Sequence, residues 1–282
     1  MTFRYLVSAH NIKFSFISVL ALLISACGGG TGFTPTITGV KAEVFQYGKT
    51  ATIYLGGKNL RSNIQVESNG GCINPSFAPS SSTELLVLNC TVNVVGDVQF
   101  TFKTEAGKEI HAMLLNVPKP QVSILTSEGD IVLELDPLAA PVSVNNFLNY
   151  ANSSFYQKTL FHRVISEFVI QGGGYMTGMV KKNGHNAPII LESNNGLSNL
   201  RGTVAMARTN ELNSATSEFF INHVDNLFLD YSASSPGYAV FGKVVQGMAV
   251  VDAIASKSTG KFNGYPDVPL EDITITSILQ IK

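Results

Sequence analysis

The stretch FHRVISEFVIQGGG, residues 161–174, sets a permanently charged side chain inside an apolar, strand-like run. On a regular strand Phe161, Arg163 and Ile165 project to one side and His162 and Val164 to the other. Arginine is almost never fully buried without a partner, so the face carrying Arg163 is expected to line something other than a closed core. A guanidinium offers a fixed fork of donors and stays protonated at ordinary pH, so its chemistry is hydrogen bonding to a lone pair or a developing charge. Taken alone, an arginine in a strand is most often half of an ion pair. His162 and His223 have the side chain of a general base, but no Ser or Cys sits in a nucleophile motif, and both are read as structural. The run QGGGYMTG is not followed by the GK[ST] of a phosphate loop, so its glycines are read as permitting a tight bend. With no CxxC and no Cys/His cluster of zinc-like spacing, neither a metal nor a cofactor is expected.

The elements around this stretch read as strands with two helices. QVSILTSEGDIVLELD alternates on both sides of a Glu-Gly-Asp turn, a hairpin pattern. In APVSVNNFLNYA, Val144, Phe147, Leu148 and Ala151 form the apolar stripe of an amphipathic helix, and Pro141 suits its first turn. A second helix is expected at Met248–Ala255, where Met248, Val251 and Ala255 share a face, and the chain ends on the alternating strand DITITSILQI. Two helices among many antiparallel strands predict a β-barrel capped by helices over 119–282. Residues 34–118 carry the candidate strands TITGV, TATIYLGG, NIQVES, ELLVLNC, DVQFTFKT and HAMLLNV, with no helical period, which predicts a β-sandwich. Pro118 and Pro120 stiffen the boundary between the two parts.

Three segments of the second part carry polar or small residues in apolar strands: FHRVISEFVIQGGG, RGTVAMARTNELNSATSEFFINHVDNLFLD and YAVFGKVVQGMAVVDAI. In order and spacing they closely resemble the cyclophilin family of peptidyl-prolyl isomerases, particularly its bacterial members, over Gln121 to Lys282. The resemblance implies an eight-stranded antiparallel barrel closed by two helices, with a proline-binding groove on its outer face. It implies catalytic roles for Arg163, Phe168 and Gln171, and a substrate groove of Val169, Ala207, Arg208, Glu218, Phe220, Phe228, Leu229 and Tyr238. Val169 stands where methionine is usual, Glu218 where glutamine is usual, Phe228 for a tryptophan and Tyr238 for a histidine. The chain has 0 Trp, so Phe228 must supply the aromatic wall without an indole N–H, which should weaken binding of cyclosporin. Glu218 could pair with Arg163 or a neighbour and compete with substrate, or it could orient the arginine.

Composition narrows the partners. With 19 Lys plus Arg against 20 Asp plus Glu, the formal net charge of -1 points to no nucleic acid. Hydrophobic residues make up 45% and charged residues 14%, the balance of a globular chain rather than a disordered one. Near the start, Arg4 and Lys13 precede an apolar run, Phe14 to Ile24, that is too short for an ordinary membrane span. It leads to LISAC, which resembles a bacterial lipobox with Cys27 as the lipidated residue. This predicts a signal peptide over 1–26 and a Gly-rich tether over 27–33. Gly28 resembles the residue of lipoproteins sent to the outer membrane, facing the periplasm. A plain secretory signal with an incidental cysteine is the alternative. Of the 3 cysteines, lipidation of Cys27 leaves Cys72 and Cys90 as a disulfide candidate for an oxidising compartment, or as two buried thiols. The first part resembles the immunoglobulin-like IPT/TIG class through PTITGV, GKTATIYLGGKNL and EAGKEIHAMLLNV. It carries no evident chemistry, His111 reads as a tolerated strand residue, and its partner is unspecified.

The expected function is acceleration of X–Pro isomerisation in proline-containing unfolded or exported polypeptides. The alternatives are a non-catalytic proline-peptide binder, holdase or adhesin in which Glu218 silences the arginine, and a structural lipoprotein with a vestigial site. Retention of Arg163, Phe168, Gln171 and Phe220 weighs against both.

Overall fold

A computed structural model describes residues 34–282, so the expected signal peptide, Cys27 and the tether lie outside the described residues. The first seven strands are β1 (Thr36–Glu43), β2 (Thr50–Lys58), β3 (Gln65–Ser68), β4 (Cys72–Phe77), β5 (Leu85–Val92), β6 (Gly96–Lys103) and β7 (Glu109–Val117). They form two antiparallel sheets, one ordered β1-β2-β5-β4 and the other β3-β6-β7. Alternation sets their buried faces: Ala51, Ile53 and Leu55 on β2, and Val98, Phe100 and Phe102 on β6, are fully inside while their neighbours are not. A disulfide joins Cys72 of β4 to Cys90 of β5, with Cα atoms 5.4 Å apart. β4 has no counterpart among the expected strands. Its sequence CINPSF contains Pro75, Asn74 takes a left-handed φ of 53°, and the pairing with β5 slips between Ile73 and Ser76, so the alternation is broken.

After Pro118 and Pro120 the chain enters β8 (Gln121–Thr126) and β9 (Gly129–Leu135), the expected hairpin, turned at Gly129 with φ 130°. Helix α1 (Pro141–Asn152) follows, then β10 (Thr159–Ile165), β11 (Val169–Gly172), β12 (Tyr175–Met176), β13 (Val180–Lys181), β14 (Thr203–Met206), β15 (Phe219–Asn222) and β16 (Val240–Gln246). Helix α2 (Met248–Ala255), β17 (Thr259–Phe262), β18 (Tyr265–Pro269) and β19 (Thr274–Gln280) complete it. Eight of these strands close an antiparallel barrel in the order β10-β11-β15-β14-β16-β9-β8-β19, while β12-β13 and β17-β18 are separate two-stranded ribbons. The barrel and both helices stand as the sequence predicts.

The barrel interior is a packed core. Phe147 of α1 lies 5.3 Å, centroid to centroid, from each of Tyr156, Phe219 and Phe241, all of them fully buried. α1 begins without a side-chain cap of its own; the carboxylate of Glu192 instead accepts hydrogen bonds from the Val142 and Ser143 N–H groups. Tyr47, in the turn before β2, is buried against the barrel: its hydroxyl donates to Asn145 of α1, and Gln280 of β19 donates to its carbonyl. Lys49 adds a 2.6 Å bond to Asn152 at the end of α1.

Truncating Phe147 to Ala should cost about 3–5 kcal/mol, because three rings around it lose contact and the cavity cannot collapse. Urea unfolding followed by circular dichroism checks this, and a loss below about 1 kcal/mol would mean that α1 does not anchor the barrel core.

Candidate active site

The site occupies the outside of the barrel because strand alternation divides each strand between two apolar faces. Ile170, Phe219, Ile221, Val204 and Met206 belong to the interior cluster. Their neighbours Val169, Ala205, Phe220 and Val240 form a second, smaller cluster, with Phe168, Leu197, Ala207, Leu229 and Tyr238 packed around it. Cross-strand register fixes the partners: Gln171 lies opposite Phe220, and Phe220 opposite Ala205.

Arg163 reaches this outer face through a local irregularity. The pairing of β10 with β11 runs Phe161 to Gly172 and then Arg163 to Gln171, so His162 is an extra residue, a β-bulge. The expectation that Phe161 and Arg163 share a face is therefore corrected. The bulge leaves Phe161 and Val164 in the interior cluster, with the Phe161 ring edge-on to Phe219, and turns Arg163 outward.

A pocket of about 130 Å³ opens there, lined by Arg163, Phe168, Val169, Gln171, Ala207, Arg208, Phe220, Leu229 and Tyr238. Phe220 forms its floor, met edge-on by Tyr238 at 5.6 Å. Arg163 is held from two sides: Nη1 donates to Gln171 Oε1 at 3.4 Å, and Nε lies 3.8 Å from Asp267 Oδ2 of β18. Its guanidinium carbon lies 5.9 Å from the Phe168 ring centroid. Among the described residues no hydrogen bond engages Nη2. Arg208 is differently occupied. Its Nε and Nη2 donate to the Gly237 carbonyl, its Nη1 to Thr209, and its guanidinium covers Tyr238 at 4.6 Å, so it braces the pocket wall.

Two residues of the expected groove lie off the pocket. Phe228, in a short 3-10 turn, is 70% exposed and stacks on Phe168 at 5.7 Å, extending the wall outward. Glu218 sits behind Gln171. Its Oε2 accepts from Gln171 Nε2 at 3.0 Å and lies 3.3 Å from His162 Nε2, while the ion pair of Arg163 is with Asp267. Of the two pairings left open for Glu218, with Arg163 or with a neighbour, the structure shows the second: its carboxylate is on His162 and Gln171. Burial pushes this carboxyl up, but the His162 hydrogen bond and charge, the Gln171 bond and the Lys181 charge outweigh it and hold it below the usual glutamate range. A depressed folded value means that the ionised group stabilises the fold at neutral pH, and that this contribution is lost as pH falls through that value.

Several residues that build the site carry no sequence signal of their own. Asn226 donates to the Phe168 carbonyl and to Asn222; Asn222 donates to Asn199 and Thr203; Asn199 donates to the Leu229 carbonyl and Asp230. This buried amide chain ties the two ends of the pocket, Phe168 and Leu229, to the strand β15 that carries its floor. Asparagine closing the apolar run FFIN was the one available hint. Asp267 gave none, because it reaches Arg163 from a ribbon about a hundred residues later in the chain.

The model of the family described as cyclophilin type peptidyl-prolyl cis-trans isomerase/CLD matches residues 121–280. The chain is 53% identical over 161 residues to peptidyl-prolyl cis-trans isomerase A of Dickeya dadantii, covering 57% of this chain and 84% of the relative. It is 51% identical over 160 residues to peptidyl-prolyl cis-trans isomerase B of Escherichia coli, covering 56% of this chain and 97% of the relative. A crystal structure of a cyclophilin type peptidyl-prolyl cis-trans isomerase of Cryptosporidium parvum is 26% identical, with a TM-score of 0.49, and covers 58% of this chain and 98% of that one.

Replacing Asn226 with Ala should lower stability by about 1–3 kcal/mol, since the buried Asn222 amide oxygen loses its donor and the Phe168 carbonyl keeps only the His223 N–H. Urea denaturation of the variant checks this, and an unchanged midpoint would show that water replaces the amide at no cost.

Proposed function

The chain belongs to the cyclophilin family of peptidyl-prolyl cis-trans isomerases, and we propose that it turns over X–Pro bonds by holding the twisted amide against Arg163. The bond resists rotation through amide resonance, a barrier of about 18–20 kcal/mol, and exchanges unaided in tens to hundreds of seconds. At the top of the barrier the prolyl nitrogen has lost conjugation and regained a lone pair. A charged donor binds that lone pair better than it binds the planar amide, which has none to offer, so it stabilises the transition state differentially. No covalent bond breaks. Phe168, Val169 and Phe220 take the ring, Gln171 steadies the guanidinium, and Nη2 is the donor left for substrate. Reaching a turnover of about 10–10³ s⁻¹ requires a reduction of about 4–7 kcal/mol, which orientation and one differential charged hydrogen bond supply. The observation that carries this reading is the guanidinium fixed at the edge of an apolar pocket by Gln171 and Asp267.

The same proposal covers the chain's setting. Residues 34–118 act as an immunoglobulin-like sandwich that carries the barrel, supported by their two antiparallel sheets and their disulfide. Cys27 carries a lipid that holds the protein at the periplasmic face of the outer membrane, supported by LISAC and Gly28. The clients are then exported polypeptides with exposed prolines. The silenced-site alternative has less support, because the carboxylate of Glu218 is engaged by His162 and Gln171.

Cis–trans exchange of a short Ala-Pro peptide, followed by NMR, tests the catalytic part. The protein should accelerate exchange, and Arg163→Ala should reduce kcat/KM by about 10²–10³, the usual cost of one preorganised donor. Equal acceleration by the Ala variant would remove the arginine from the mechanism.

A further inference from the structure

Resting on that catalytic reading of Arg163, we propose that Glu218 is a positioning residue for the isomerase reaction, whose carboxylate locks the side-chain amide of Gln171 with its carbonyl toward the arginine. The two ends of a glutamine amide are nearly the same shape but opposite in chemistry. Only Oε1 can accept from Arg163; the flipped amide would turn an N–H₂ group toward the guanidinium and leave donors facing donors. What decides the flip is the group on the far side of Gln171. An ionised carboxylate accepts only, so it takes the Nε2 end and forces Oε1 onto Arg163, as observed at 3.0 and 3.4 Å. A glutamine at 218, the residue usual in the resemblance drawn above, can face either end and enforces nothing.

The carboxylate is itself fixed. The Oε2 that takes Gln171 also lies 3.3 Å from His162 Nε2, and the other oxygen packs on Gly174, where an added Cβ would come within 2.7 Å of it. The side chain of Glu218 is only 22% exposed. The groups around it come from different elements: His162 from β10, Gln171 from β11, Tyr175 from β12 and Lys181 from β13. Tyr175 rests on the His162 ring at 4.6 Å and meets Tyr265 of β18 at 5.4 Å, two residues before the Asp267 that holds Arg163 Nε. The guanidinium is therefore enclosed by a ring of contacts that passes behind it and returns, with Glu218 at the point where charge sets direction.

Glu218→Leu and Glu218→Gln test this in the full protein with the Ala-Pro peptide. In the Leu variant kcat should fall about tenfold or more with KM little changed, the signature of a misplaced catalytic group rather than of lost binding. In the Gln variant the arginine still favours Oε1 but the far side no longer enforces it, so the flipped amide becomes populated and kcat should fall about twofold. The side-chain ¹H–¹⁵N signals of Gln171 give the independent readout: one shifted, slowly exchanging pair in the wild type, averaged signals in Glu218→Gln, and loss of the shift in Glu218→Leu. Wild-type kcat in the Leu variant, or Gln171 signals in the Gln variant identical to the wild type, overturns the proposal. Should the Leu variant not fold, the Gln variant decides it alone. Absence of any acceleration by the wild type would instead sink the isomerase reading, while the Gln171 signals still report the lock.

Discussion

A charged donor has to be kept at the edge of an apolar pocket without being consumed by it or lost to water, and most of this barrel is arranged around that requirement. A free arginine on a surface samples many rotamers; one buried without partners is costly. Here the guanidinium is half exposed, tethered at Nη1 by Gln171 and at Nε by Asp267, and flanked by the Phe168 ring. One tether comes from the barrel strand β11 and the other from the separate ribbon strand β18, so the position of one side chain depends on how the ribbon sits against the barrel. The exposed ion pair with Asp267 contributes at most about 1 kcal/mol by itself, and its value is directional.

Two-sided strands make the arrangement possible. In an ordinary half-buried sheet the outer residues are polar, but on β11, β14 and β15 Val169, Ala205 and Phe220 face outward and are nonetheless buried by the loops that carry Phe168, Leu229 and Tyr238. Those loops have no regular ladder to hold them. The chain of Asn226, Asn222 and Asn199 reinforces them instead, giving a second donor to the Phe168 and Leu229 carbonyls, which already take the His223 and Tyr238 N–H groups. Rigidity of the pocket is in this sense a polar property, although its lining is apolar.

Strand and helix periods were readable because each element obeys one pattern along its own length: Val144, Phe147, Leu148 and Ala151 of α1 are all buried, as their spacing requires. What escaped reading depends on exceptions or on distance. One inserted residue at His162 reverses which neighbours share the face of Arg163, and no periodicity argument foresees a bulge. Pro75 and Asn74 hid β4 by breaking its alternation. Glu218 was visible as a departure from the family pattern, yet its partners could not be read from spacing, since His162 lies 56 residues upstream of it on a neighbouring part of the sheet. Asp267 and the asparagine chain act through contacts between distant segments, which leave no local trace.

The central claim is that Arg163 serves the twisted bond rather than the bound peptide. Two-dimensional NMR exchange on the enzyme–peptide complex measures these separately, giving the on-enzyme interconversion rate and the peptide Kd for the wild type and for Arg163→Lys. Lysine keeps the charge but loses the planar fork and both tethers. The account predicts an interconversion rate lower by about 10²-fold with Kd changed by no more than about threefold. A weakened Kd with the on-enzyme rate preserved would contradict it, and would make the arginine a binding residue.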